Sequence, residues 1–259
     1  MSAIRQLTAE QEPFLAVRSL ATNYASGYRI ELHRHPWHQL LFASSGAMTV
    51  TTSQASWMIP AGRAVFIPAS SAHALRMWGL VEMRTLYLSP PLTSFEDKEC
   101  RVIEVAPLLR ELILRTVERS GLDSRSAPDS WMIGLLEDEV KTAMAAAEGS
   151  PLALPMPADG RALALAHHVL AQPSRVNGQS VDALAQQHGV ARRTLERRFR
   201  DETGMSFGMW RQKARLLDSI RLLAEGNSVT NAALDSGYSS VSAFIAAFKN
   251  TFGYTPGRL

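Results

Sequence analysis

The sequence predicts an α+β chain in two parts: an N-terminal antiparallel β-barrel followed by helices, then an all-α C-terminal module in which two two-helix corners are joined by a long helix. Three observations predict it. Between about residue 28 and residue 90, apolar runs of strand length are punctuated by Gly, Pro and Ser. From residue 105 the apolar period becomes that of a helix. The segment opening at Ser180 returns in its chemistry from Ser228, on either side of one long helical stretch.

Composition bounds the reading. A chain of 259 residues can hold two domains with a core each. The opening "MSAIRQLTAEQEPF" lacks a basic segment followed by an apolar core, and no run of eighteen apolar residues is free of charge, so the expectation is a cytoplasmic chain that is neither exported nor inserted in a membrane. Cys100 is the only cysteine, which excludes an internal disulfide and a Cys-based zinc module. The net charge of +3 conceals an asymmetry: residues 159–259 carry 13 Lys and Arg against 8 Asp and Glu, residues 1–158 carry 14 against 16. A basic C-terminal part beside a mildly acidic N-terminal one is the pattern of a chain whose C-terminal part meets nucleic acid.

Taken in order, the runs "QLLFAS", "GAMTVTT", "SWMI", "AVFIP", "HALRM" and "EMRTLYLS" form the strands of a barrel over residues 1–104. In residues 105–148, Val105, Leu108, Leu109, Leu112, Ile113 and Val117 mark one amphipathic helix, with Pro107 in its first turn, and a second covers roughly 130 to 147. Their apolar stripe fits a dimer surface or packing on the chain's own barrel. Residues 149–158, within "GSPLALPMPADG", read as an extended linker. Residues 159–259 read as helical throughout.

The duplication pairs Ser180 with Ser228, Val181 with Val229, Ala185 with Ala233 and Gly189 with Gly237. After one inserted residue it pairs Leu195 with Phe244, Phe199 with Phe248, Arg200 with Lys249 and Gly204 with Gly253. Each copy has a Ser N-cap, an Ala at the helix crossing, a Gly for a left-handed turn and a second amphipathic helix, which are the parts of a helix-turn-helix. The stretch "GMWRQKARLLDSIRLLAEG" is the helix between them.

"VARRTLERRFRDETG" puts five arginines within nine residues, with Glu196 the only acid among them. Leu195 and Phe199 form its buried stripe, so Arg193, Glu196, Arg197 and Arg200 share the opposite face. A lone helix of this kind also suits solvent or RNA. The duplicated frame instead favours double-stranded DNA, with arginine donating to guanine and glutamate accepting from cytosine N4 in the major groove. Arg192, Arg198 and Arg200 are expected on phosphates. In the second copy the equivalent face is Ser242, Ile245, Ala246 and Lys249, so looser binding is expected, with Ser239, Ser240 and Lys249 on the backbone.

These residues resemble the AraC/XylS family of transcription regulators. The second copy, "GYSSVSAFIAAFKNTFGYTPGRL", is similar to that family's C-terminal signature. Over residues 159–259 the resemblance implies base contacts at Arg193, Glu196 and Arg197 and second-helix contacts at Val241, Ser242, Ile245 and Ala246. It implies a homodimer as well, and RNA polymerase as a partner if the output is activation.

In "HRHPWHQLLFASSGAMTV", His33 and His35 lie two apart and share a face if the segment is a strand; "PASSAH" adds His73, and His38 lies in the same region. Together they resemble the two motifs of a cupin barrel. The resemblance places a divalent metal or a small effector at His33, His35, Gln39 and His73, with the neutral amide of Gln39 where an acid is usual. Trp37, Trp57, Phe66 and Trp78 are candidates to line an effector pocket. Two functions follow: a DNA-binding regulator controlled by a small effector or metal, without enzymatic activity, or a metal-dependent cupin enzyme carrying an accessory DNA-binding domain.

Overall fold

The computed structural model describes residues 13–147, 149–171, 176 and 178–259. Most of the opening segment read for a leader lies outside them. Nine strands form one antiparallel sheet: β1 (Leu15–Tyr24), β2 (Arg29–His33), β3 (His38–Thr51), β4 (Ala55–Pro60), β5 (Arg63–Ile67), β6 (His73–Leu88), β7 (Arg101–Glu104), β8 (Gly121–Asp123) and β9 (Ala153–Pro155). Two strands, β3 and β6, each unite a pair of the expected short runs. They bend at Gly46 and Gly79 and do not stop there.

That bent pair is the spine. The first half of β3 pairs with β5 and its second half with β4; the first half of β6 pairs with β2 and its second half with β1. Two half-sheets therefore share one spine and close over a common core of Leu41, Met48, Val50, Trp57, Ile59, Val65, Leu75, Met77 and Met83. The register shifts between Ala43 and Ala47 exchange the faces of β3: Leu41 and Ala43 face this core before the bulge, Met48 and Val50 after it.

Helices cover both outer faces. The helices α1 (Pro107–Glu118) and α2 (Ala127–Ala145) bury Leu109, Ile113, Ile133, Leu136, Val140 and Met144 against Leu40, Phe42, Phe66, Leu86 and Leu88. The expected stripe thus packs on the barrel, with Pro107 in the first turn as read. The expected linker is sewn down: β9 pairs with β4, and Leu152, Leu154 and Met156 are buried.

The C-terminal module comprises α3 (Gly160–Ala171), α4 (Val181–Gln187), α5 (Arg192–Thr203), α6 (Phe207–Ala224), α7 (Val229–Asp235) and α8 (Val241–Phe252), eight helices in all among the described residues. The duplication is exact in its capping logic. Ser180 and Ser228 each accept from the backbone N–H three residues on, and Gly189 and Gly237 take the turn at φ 62° and 77°. Val190 N–H donates to the Ala185 carbonyl and Tyr238 N–H to that of Ala233, both at 3.0 Å. On α6, Trp210 is fully buried against Phe199 and donates its indole N–H to the Pro155 carbonyl at 2.7 Å. One continuous apolar cluster runs from the barrel interior through these helices.

Candidate nucleic-acid interface and histidine cluster

Burial of Leu195 and Phe199 turns the opposite side of α5 to solvent. Arg193, Arg197 and Arg200 are exposed there, rim a shallow groove of about 450 Å³ with Thr194, Glu196 and Asp201, and make no ion pair among the described residues. The other two arginines have partners. Arg192 pairs with Asp182 at 2.9 Å on an exposed rim, where solvent leaves the pair easy to exchange. Arg198 turns towards the connection and lies 3.5 Å from both Asp159 and Glu202, so it does not share the outer face expected for a phosphate contact.

Glu196 has a partner within the module as well. Its carboxylate accepts from the Phe207 backbone N–H at 3.2 Å. It satisfies one of the otherwise unpaired donors at the start of α6. In the second unit Ser239, Ser242, Ala246 and Lys249 are exposed, and Val241 and Ile245 half-buried. Ser240 is the N-cap of α8, its hydroxyl accepting from Ala243 N–H at 3.2 Å.

At one end of the barrel the fold assembles a histidine cluster. His33 ends β2 and faces His73, the first residue of β6, across the strand pair; His35 follows in the loop. Potential ligand atoms of the three lie within 4.8 Å of one another. In each ring Nδ1 meets a backbone carbonyl: Glu31 at 2.9 Å for His33, Trp37 at 2.8 Å for His35 and Ser71 at 2.8 Å for His73. A carbonyl only accepts, so Nδ1 donates in all three, and it is Nε2 that offers a lone pair whenever the ring is neutral. Burial pushes the His73 imidazole down to about 4 and lowers that of His35.

Three imidazoles anchored through Nδ1 on backbone carbonyls, with Nε2 turned to a common centre, are the arrangement metal ligation requires. The Nε2 of His73 is buried without a hydrogen-bond partner. That of His35 lies 3.0 Å from Gln39 Oε1. That contact is a hydrogen bond when Nε2 carries a proton or the amide is turned, and its length is also the spacing, about 3.0–3.4 Å, of two ligands about 2.1 Å from one ion. The donor set therefore fits a divalent ion. Tyr87, which the sequence did not single out, adds a ring 5.2 Å from His35, with burial pushing its phenol up to about 12. His38 does not join the cluster: it stacks on Phe66 and accepts from Ala69 N–H.

The four aromatic candidates do not form one pocket, because strand alternation sends them to different sides. Trp57 is in the barrel core, Phe66 in the layer beneath α1 and α2, and Trp37 against Arg18. Trp78 lines a cavity facing α6.

Residues 16–191 match the family described as AraC-like ligand binding domain, and residues 184–259 that described as Helix-turn-helix domain. The chain is similar to the HTH-type transcriptional regulator NimR of Escherichia coli (strain K12), 30% identical over 88% of this chain and 81% of that protein. It is similar to the HTH-type transcriptional regulator RipA of Corynebacterium glutamicum, 28% identical over 84% of this chain and 60% of that one. Of solved structures, ToxT from Vibrio cholerae aligns over 94% of this chain and 97% of its own, at 14% identity and a TM-score of 0.39. No described helix is long and apolar enough to cross a membrane. With the ligand-binding family matched over more than half of its length and the helix-turn-helix family over its C-terminal part, the chain belongs to the AraC family of transcription regulators, with a ligand-binding N-terminal domain and a helix-turn-helix DNA-binding domain.

Proposed function

We propose that this regulator reads double-stranded DNA mainly through α5 and holds it loosely through α8, under control of an effector or metal in the N-terminal domain. The carrying observation is that, among the described residues, Arg193, Arg197 and Arg200 make no ion pair while Arg192 and Arg198 of the same helix do. Arg193 and Arg197 contact bases; Arg192 and Arg200 contact phosphates, Arg192 by exchanging Asp182 for one. Glu196 positions α6. Val241, Ser242, Ile245 and Ala246 meet the second groove segment, and Ser239, Ser240 and Lys249 its backbone.

The working units of this reading are a sensor (1–104), a dimerising helical pair (105–148), a connection (149–158) and the DNA-binding module (159–259). Leu108, Trp131 and Leu135, exposed on α1 and α2, form the homodimer face. Any activating output engages RNA polymerase, in the cytoplasm. A divalent ion would be held by His33, His35 and His73, with Gln39 beside it, and would supply a positive charge and an open position for an effector oxygen. With a neutral amide at Gln39 and no carboxylate in the cluster, we read it as a sensor and not as a catalytic centre.

Footprinting on DNA flanking its own gene tests the reading. Expected is protection that weakens steeply with salt, at bases whose substitution is sensed by Arg193→Ala or Arg197→Ala. Equal affinity for specific and scrambled DNA would sink it.

A further inference from the structure

The stretch from Ala153 to Asp159 carries the chain from the barrel to the DNA-binding module, and hydrogen bonds hold it at both ends. On the barrel side the Leu152 carbonyl accepts from Met58 N–H at 3.1 Å, and β9 pairs with β4 in the register Trp57–Ala153, Ser56–Leu154 and Ala55–Pro155. Met156 N–H then donates to the Gln54 carbonyl at 2.8 Å. On the other side Ala158 N–H and Asp159 N–H both donate to Oε2 of Glu202 on α5, at 2.8 Å and 2.9 Å. Asp159 goes on to cap α3, its carboxylate accepting from Arg161 N–H and Ala162 N–H, each at 3.1 Å. Only Pro157 stands between the last barrel bond, at Met156, and the first bond to α5, at Ala158. Those two steps span about 7 Å at most, and the proline ring fixes one of their dihedrals. So short a connection cannot take up a displacement of either end.

Glu202 lies in the last turn of α5, on the side turned away from Arg193, Arg197 and Arg200. Its carboxylate is largely screened from water, and the two backbone N–H groups are its short contacts; Arg198 stands farther off, at 3.5 Å. Leu195 and Phe199 set how deep α5 sits in the core, while Glu202 sets where its C-terminal end lies against the connection. We propose that residues 153–159 are a taut tether through which strand β4 of the sensor sets the position of α5, with Glu202 as a positioning residue for DNA reading. Trp57, the cross-strand partner of Ala153, keeps its ring in the barrel core. An occupant of the barrel that displaces Trp57 therefore displaces the strand on which the tether is zipped, and the tether delivers that shift to α5. A small tilt of α5 suffices, because paired hydrogen bonds from an arginine to a base edge tolerate little misplacement. The proposal rests on the reading of α5 as the helix that meets bases.

The test is competition binding of the full chain to DNA flanking its own gene, against scrambled DNA and against copies altered at the base pairs that Arg197→Ala ceases to sense. Two chains are compared with the parent: Glu202→Ala, and one with two glycines inserted between Pro157 and Ala158. Each is expected to lose about fivefold or more of the discrimination at those base pairs, with its affinity for scrambled DNA unchanged. Combined, the two changes lose no more than either alone, because both release the same tether. Glu202→Gln, whose amide oxygen accepts from the same two N–H groups, keeps the parent's discrimination. The insertion leaves every side chain in place and decides the outcome if Glu202→Ala does not fold. Discrimination retained in the inserted chain, losses that add, affinity for scrambled DNA falling in step, or Glu202→Gln behaving as Glu202→Ala each overturns the proposal. If the parent itself distinguishes specific from scrambled DNA, those results remove the tether alone; a parent that does not distinguish them removes the reading of α5 beneath it.

Discussion

Arg197 and Arg198 are neighbours in sequence with opposite fates, because the 100° step between them carries one to the solvent face of α5 and the other to the connection. Arg197→Ala is expected to cost about 1–3 kcal/mol of specific DNA binding and to relax preference at one base pair, measured by competition against single-base operator variants. Arg198→Ala, which removes only half-exposed pairs with Asp159 and Glu202, is expected to leave that preference intact and to cost at most about 1 kcal/mol of folding stability in urea. The histidines show the same dependence on placement. His33, His35, Gln39 and His73 were legible as a set; that every Nδ1 is committed to a carbonyl was not, because it depends on loop backbone far from any motif. Cobalt(II) added to the purified chain is expected to bind one ion per chain with a visible ligand-field spectrum that His73→Ala abolishes. An unchanged spectrum in that variant would remove His73 from the site.

Among elements, the spine strands β3 and β6 were read as four short runs because Gly46 and Gly79 look like terminators. In the fold those glycines let a strand bend while its pairing continues. Gly79 has a second duty, since its φ is +70° and a Cβ there would overlap the carbonyl oxygen of Ala224 at the end of α6. Beside it, Ser26 donates to Glu225 at 3.2 Å and accepts from Gly79 N–H at 3.1 Å. Gly79→Ala is therefore expected to separate the barrel edge from α6, at a cost of about 1–3 kcal/mol, and to speed proteolysis in residues 149–158. A midpoint in urea and a cleavage rate both equal to those of the parent would show that the contact is incidental. The short strands β8 and β9 were not legible at all: three residues carry no period, and Ala153–Pro155 becomes a strand only because β4 offers an unpaired edge.

For the whole molecule, the homodimer face proposed above is the exposed side of α1 and α2. Trp131 is 74% exposed at the end of a helix whose other side is fully used by the barrel. Trp131→Glu is expected to convert a dimer to a folded monomer in sedimentation and to weaken binding to a two-site operator far more than to a half-site. A parent chain that sediments as a monomer would refute the dimer face. By itself the sequence determined the two-part plan, the duplicated helix-turn-helix frame and the outward face of α5, because helical period, caps and left-handed glycines are local and repeat with the chain. Only the tertiary structure decided which arginines make no ion pair among the described residues, that Glu196 meets the start of α6, and that the four aromatics diverge, with Trp78 set beside Arg221 of α6. Those outcomes depend on contacts between residues remote in sequence, where strand parity, register shifts and helix docking are set jointly by both partners.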